Sequence, residues 1–82
     1  MKEYRKRIDE IDREILRLFE ERMRTAEKIG EYKKQNGLPI TDENREKEVV
    51  ETAKNAVSAD LSDYAQELMK ELISLSKKYQ EK

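Results

Sequence analysis

The sequence predicts an all-α fold with one long and two shorter helices, and three observations carry that prediction. Apolar residues recur at three- and four-residue steps in three separate stretches, glycine and proline come together at only one place, and no stretch alternates polar and apolar residues at the period of a strand.

The first helix is expected from about residue 3 to residue 35. Ile8, Ile15 and Ile29 fall at one seam position of a heptad pattern, and Tyr4, Ile11, Leu18 and Tyr32 at the other. Arg22 interrupts this seam, and Thr25 follows at the next seam position. A guanidinium on a core-facing stripe has to be paired or hold a ligand, because burying it alone costs several kcal/mol. Acids precede bases by four residues at Glu3 and Arg7, Asp9 and Arg13, and Glu20 and Arg24, so these are expected to form exposed pairs on a solvated face. Gly30, inside the helix, reads as a close-packing position or a mild weakness rather than a stop. At 1.5 Å per residue the helix is about 50 Å long, more than a compact monomer of this size covers, so it is expected to find another copy of itself.

Asn36-Gly37-Leu38-Pro39 ends the first helix, with Asn36 or Gly37 as the C-terminal cap. The second helix is expected over about residues 42–58, capped by Thr41 or Asp42. Val49, Val50, Ala53, Ala56 and Val57 form its apolar face, and one turn further back that face reaches Arg45 and Glu46. Ser58 to Ser62 is a short polar connection in which Asp60 or Ser62 can cap the third helix, expected over about residues 61–80. Leu61, Ala65, Leu68, Leu72, Leu75 and Tyr79 lie on one seam of that helix. Met69 and Ile73 start a neighbouring stripe that continues through Ser76 and Gln80, so apolar gives way to polar along one line.

Composition narrows the possibilities. Residues 1–82 are read as a single domain, and only 17 of the 82 are Leu, Ile, Val or Phe, about 21%, which makes a thin core for a solitary chain. Cysteine and histidine are absent, which removes disulfides, thiolate chemistry, imidazole bases and the usual zinc sites. Oligomerisation is the remaining way to supplement the core. The 18 basic and 19 acidic residues are mixed along the chain, which argues against a nucleic-acid footprint. No apolar run approaches the length of a signal peptide or a membrane span, so a cytoplasmic location is expected.

Several polar residues stand where apolar ones belong. Arg22 sits in the first seam, Lys33 lies eleven residues on and nearly on the same side, Arg45 and Glu46 extend the second helix's inner face, and Ser76 and Gln80 that of the third. Each alone reads as a snorkelling rim residue. Together, contributed by facing helices, they form the kind of constellation with which bundles build ligand sites. Such a set of cations, one acid and neutral hydrogen-bonding groups suits a small polyanion, a dicarboxylate with a hydroxyl, since arginine grips carboxylates through bidentate contacts. There is no nucleophile-base pair, although Glu46 could serve as a lone acid or base, so any reaction has to depend on positioning and electrostatics.

These residues resemble the all-helical class of chorismate mutase over essentially the whole chain. The likeness runs from Arg5-Lys6-Arg7-Ile8-Asp9-Glu10-Ile11-Asp12 through Glu21-Arg22 and Gly30-Glu31-Tyr32-Lys33 to Pro39-Ile40-Thr41-Asp42-Glu43-Asn44-Arg45-Glu46, and on to Ser76 through Gln80. Asp42-x-x-Arg45-Glu46 after a proline loop is its most specific part. The resemblance implies an isomerase that rearranges chorismate to prephenate, at the branch to phenylalanine and tyrosine, without metal or organic cofactor. It also implies an intertwined three-helix homodimer with two sites, each completed by Arg5 from the partner's long helix. Spacing agrees: Arg5 and Arg22 are roughly 26 Å apart along one helix, too far to grip one small molecule in cis.

By the same resemblance, Arg22 and the partner copy's Arg5 hold the substrate carboxylates with Ser76 nearby. Lys33 and Gln80 donate to the ether oxygen, Glu46 and the Asp42 backbone hold the ring hydroxyl, and Arg45 orders that corner. The connection between the second and third helices is short for the family, which implies an altered loop. With no dehydratase or dehydrogenase domain attached, a free-standing mutase is expected, unless the domain is excised from a longer protein. An isochorismate pyruvate-lyase on the same fold and a non-catalytic helical dimerisation module are the alternatives.

Overall fold

A computed structural model describes residues 1–81 and contains three α-helices: α1, Lys2–Gln35; α2, Glu43–Ala56; and α3, Ser62–Gln80. One 3-10 turn, Ala59–Leu61, leads into α3, and there is no strand among the described residues.

The ends of α1 and the start of α2 follow from local chemistry. Asn36 is the C-cap of α1, and Gly37 takes a left-handed φ of 63° that residues with a Cβ seldom adopt. That conformation sends the Gly37 N–H to the Lys34 carbonyl at 3.4 Å and the Leu38 N–H to the Lys33 carbonyl at 2.8 Å, the paired bonds of a Schellman ending. Asp42 caps α2, its carboxylate accepting from the Arg45 backbone N–H at 3.0 Å.

The connection after α2 differs from the sequence expectation. Helix α2 stops at Ala56, and Val57 is already extended, with φ −130° and ψ 169°. Neither Asp60 nor Ser62 caps α3. The Ser58 hydroxyl donates to Asp60 at 2.8 Å, the Ser62 hydroxyl donates back to the Lys54 carbonyl of α2 at 3.0 Å, and α3 grows directly out of the 3-10 turn with Leu61 at its N-cap position. The turn supplies the first bend of the helix, so a side-chain cap has no role there.

Exposed pairing along α1 also differs in detail. Arg7 pairs with Glu10, Arg17 with both Glu14 and Glu21, and Arg24 with Glu27. Steps of three and four are both within reach on a helix surface, and such exposed pairs are worth little in either register.

Packing is uneven. Helix α3 lies against α2 and against the C-terminal half of α1, to which it is tied by Arg22, Arg24, Ala26 and Glu27. Among the described residues only Ala26, Ala53 and Ser76 are buried. The seam of the N-terminal half of α1 meets nothing within the chain: Tyr4 is 76% exposed, and Ile8 and Ile15 are each 55% exposed. On α3 Met69, Ile73, Ser76 and Gln80 are protected, and of the other seam Ala65, Leu72, Leu75 and Tyr79 are half-buried while Leu61 and Leu68 are exposed. The chain is accordingly long and thin, 52 × 25 × 15 Å. No described helix is long and apolar enough to cross a membrane.

Candidate active site

All three helices contribute to an open cleft of about 500 Å³. Helix α1 brings Arg22 and Lys33, the start of α2 brings Asp42, Arg45 and Glu46, and α3 brings Ser76 and Gln80. Leu18, Ile29, Val49 and Ile73 supply apolar wall. A larger groove of about 940 Å³ lies between α2 and α3 and shares Glu46, Ile73 and Lys77 with this cleft. Its other charges, Lys47, Lys70, Glu48 and Glu51, are of both signs, and Arg22, Ser76 and Gln80 of the smaller cleft do not line it.

Each polar group in the cleft is held by the protein. Arg22 is half-buried, and its guanidinium donates to the Ser76 hydroxyl at 2.7 Å and, more weakly, to the Leu72 carbonyl at 3.4 Å. Ser76 is buried and donates in turn to the Leu72 carbonyl at 2.8 Å. That chain of bonds satisfies the cation that interrupts the α1 seam, since a short polar side chain on α3 sits where an aliphatic one would leave the guanidinium unpaired. The Lys33 ammonium donates to the Ile40 carbonyl at 2.9 Å, which ties the end of α1 to the loop before α2. The Gln80 amide donates to the Ala26 carbonyl at 2.8 Å.

At the α2 corner, Glu46 is half-buried and accepts from the Lys77 ammonium at 3.2 and 3.5 Å, one distance to each carboxylate oxygen. Arg45 is turned outward and donates to Glu48 at 2.9 Å. Asp42 reaches the cleft while its side chain caps α2. The lining carries Arg22, Lys33, Arg45 and Lys77 against Glu21, Asp42 and Glu46, but Glu21 is paired with Arg17 and Asp42 is engaged as the α2 cap, so the cations around Glu46 form an arrangement able to hold a small anion that also carries a hydroxyl.

Arg5 does not line this cleft. It stands on the exposed N-terminal half of α1, seventeen positions before Arg22, and no fold of a single straight helix brings the two together.

Residues 4–81 match the family model of chorismate mutase type II. The chain belongs to that family. Individual relatives agree: it is 53% identical over 51 residues to a bifunctional chorismate mutase/prephenate dehydratase of Aquifex aeolicus, an overlap covering 62% of this chain and 14% of that one. It is 53% identical over 45 residues to a chorismate mutase of Methanocaldococcus jannaschii, covering 55% of this chain and 46% of that one. It is 36% identical over 77 residues to a T-protein of Haemophilus influenzae, covering 87% of this chain and 20% of that one. The chain therefore spans less than half the length of each of these relatives. No solved structure matches it significantly.

Within the family frame, the residue that sequence reasoning missed is Lys77. It borders the cleft and holds both oxygens of Glu46. A signal for it exists, because Lys77 precedes Gln80 by three positions and so shares its helix face. The Ala26 and Ile40 carbonyls that receive Gln80 and Lys33 are backbone atoms, which the residue types do not announce.

Proposed function

We propose that this chain is a chorismate mutase that rearranges chorismate to prephenate for phenylalanine and tyrosine biosynthesis, acting as a cytoplasmic homodimer. The observation that carries the reading is the convergence of Arg22, Lys33, Glu46, Ser76 and Gln80 from three helices on one cleft, in a chain of the chorismate mutase type II family.

The chemistry suits those groups. The rearrangement breaks an ether C–O bond and forms a C–C bond inside one molecule, so no proton, electron or group leaves and no nucleophile is required. Arg22, with Ser76 beside it, takes one substrate carboxylate and Arg5 of a second copy takes the other. Clamping both ends selects the folded conformer in which the reacting carbons lie near one another. Negative charge grows on the ether oxygen as its bond to carbon breaks, and Lys33 and Gln80 donate to it. Donors fixed beforehand by the protein stabilise that charge more than they stabilise the ground state. Glu46, steadied by Lys77 while Arg45 pairs with Glu48, accepts from the ring hydroxyl beside the Asp42 backbone.

Two features support the dimer. The apolar seam of Tyr4, Ile8, Ile15 and Leu18 is exposed in one chain, and large exposed apolar faces are normally covered by a partner. Arg5 reaches a site only if it comes from another copy running antiparallel along α1.

The test is direct: purified protein is mixed with chorismate, and the loss of its ultraviolet absorbance is followed with identification of prephenate as product. Enzyme-dependent conversion is expected. A folded helical protein that leaves chorismate unchanged overturns the reading. Sedimentation equilibrium checks the homodimer, and cell fractionation the location.

A further inference from the structure

Gln80 is the last residue of α3, and the ends of helices fray unless something holds them. Its neighbour Tyr79 supplies one hold on α1. The Tyr79 hydroxyl donates to Glu27 at 2.9 Å and receives a bond from Arg24 at 2.5 Å, while the Arg24 guanidinium lies 5.9 Å from the ring centre. Gln80 supplies a second hold through its amide bond to the Ala26 carbonyl.

The space for that second hold is made by the absence of a side chain. Gly30 lies one helical turn beyond Ala26, on the same face of α1. A Cβ placed there would stand 2.9 Å from the Gln80 Cγ, 3.3 Å from its Cβ and 3.5 Å from its Cδ. The Gln80 side chain therefore lies along the bare backbone at Gly30. The helix at Gly30 does not have a positive φ, so backbone conformation does not demand glycine. What demands it is the glutamine lying across it.

We propose that Gly30 is a positioning residue for the mutase reaction: it is the seat on which the Gln80 side chain rests, aligned by the Ala26 carbonyl so that its amide meets the substrate's ether oxygen. An amide NH2 has two hydrogens. Ala26 takes one and thereby orients the group, and the second is the one offered to a ligand. Filling the seat pushes Cγ away from α1, turns the amide off the Ala26 carbonyl and carries the second hydrogen out of line. The proposal rests on the mutase reading above.

It separates from a glycine without specific duty by the sign of the effect, and from a merely packing role by where the loss falls. Alanine is the better helix former, so a glycine in mid-helix with no specific duty gains from the change. Gly30→Ala is expected to lower kcat/KM by about 10- to 100-fold, the loss that a displacement of about 1 Å in a reacting group produces. Most of the loss should lie in kcat, with helicity retained and Tm not correspondingly reduced. In a Gln80→Ala background, where no Cγ remains to be displaced, Gly30→Ala should cost nothing further.

The side-chain amide signals of Gln80 in a ¹⁵N correlation spectrum report the seat without any turnover, and they should shift in Gly30→Ala but not in the exposed control Lys28→Ala. Unmoved amide signals, or an unchanged kcat/KM, overturn the proposal. So does the same fold-loss with and without Gln80. A parent chain that fails to convert chorismate overturns the mutase reading and this role with it, whereas an active parent with an indifferent Gly30→Ala overturns the role alone.

Discussion

The two halves of α1 continue one heptad pattern into opposite surroundings. From about Phe19 onward one face of the helix is covered by α3, with Ala26 buried, Arg22 bonded to Ser76 and Gly30 against Gln80, while Ile29 and Tyr32 stay 47% and 62% exposed. Before that point the same pattern continues through Ile15, Ile11, Ile8 and Tyr4 with nothing from the chain upon it. The difference lies in what is near each half rather than in its hydrophobicity. One half is partly dressed by its own chain and carries the cleft, and the other leaves a comparable stripe open.

The largest effect expected from breaking this division comes from charging the open half. Ile8→Asp combined with Ile15→Asp places two carboxylates on a seam whose isoleucines would each contribute about 1.5 to 3 kcal/mol on burial. Assembly and turnover should be lost together, read by sedimentation and by the chorismate assay. A double variant that stays dimeric would move the interface elsewhere.

Charging or truncating the covered half should do the reverse and spare assembly. Arg22→Ala removes a donor from the cleft, and by analogy with loss of one oxyanion donor kcat should fall about 10²- to 10³-fold. Sedimentation should be unchanged, because the guanidinium is tied within its own chain to Ser76. Full activity in this variant would take Arg22 out of the mechanism.

A smaller signal sharpens the link between the halves. Mixing Arg5→Ala chains with Arg22→Ala chains, after subunit exchange, should recover about a quarter of the parent activity: half the dimers are mixed, and each carries one intact site of two. No recovery despite verified exchange would mean that Arg5 and Arg22 do not serve one site across a dimer.

The three-helix architecture is legible in the sequence where one residue type has one physical use. Gly37 supplies the left-handed turn that stops α1, and Asp42 the carboxylate that starts α2. Arg22, Lys33, Glu46 and Gln80 stand out because charged or polar groups on apolar faces demand partners, and the fold gathers them around one cleft. What is less legible depends on tertiary placement. Leu61 and Leu68 look like core and are exposed, although Ala65, Leu72, Leu75 and Tyr79 on the same seam are half-buried. The cap of α3 is replaced by a 3-10 turn, and Ser62 spends its hydroxyl on α2 instead. Lys77 is hidden among several lysines until the fold sets it against Glu46.

The smallest expected effect concerns Glu14, exposed on the flank of the α1 seam. Glu14 is held below its ordinary pKa of 4.5, first by its hydrogen bond from Arg17 and then by the charge of that guanidinium. A carboxylate depressed in the folded state binds fewer protons there than in the unfolded chain. Its contribution to stability is therefore complete above about pH 4.5 and is lost as pH falls through the lower folded value. Both partners are exposed, so solvent screens the pair and the contribution is slight. Glu14→Gln should flatten the acid side of a Tm-against-pH curve below pH 4.5 and leave dimerisation and turnover at neutral pH untouched. A loss of assembly at neutral pH would show that the partner also covers this flank, and the line between seam and solvated surface on the open half of α1 would have to be redrawn through Glu14.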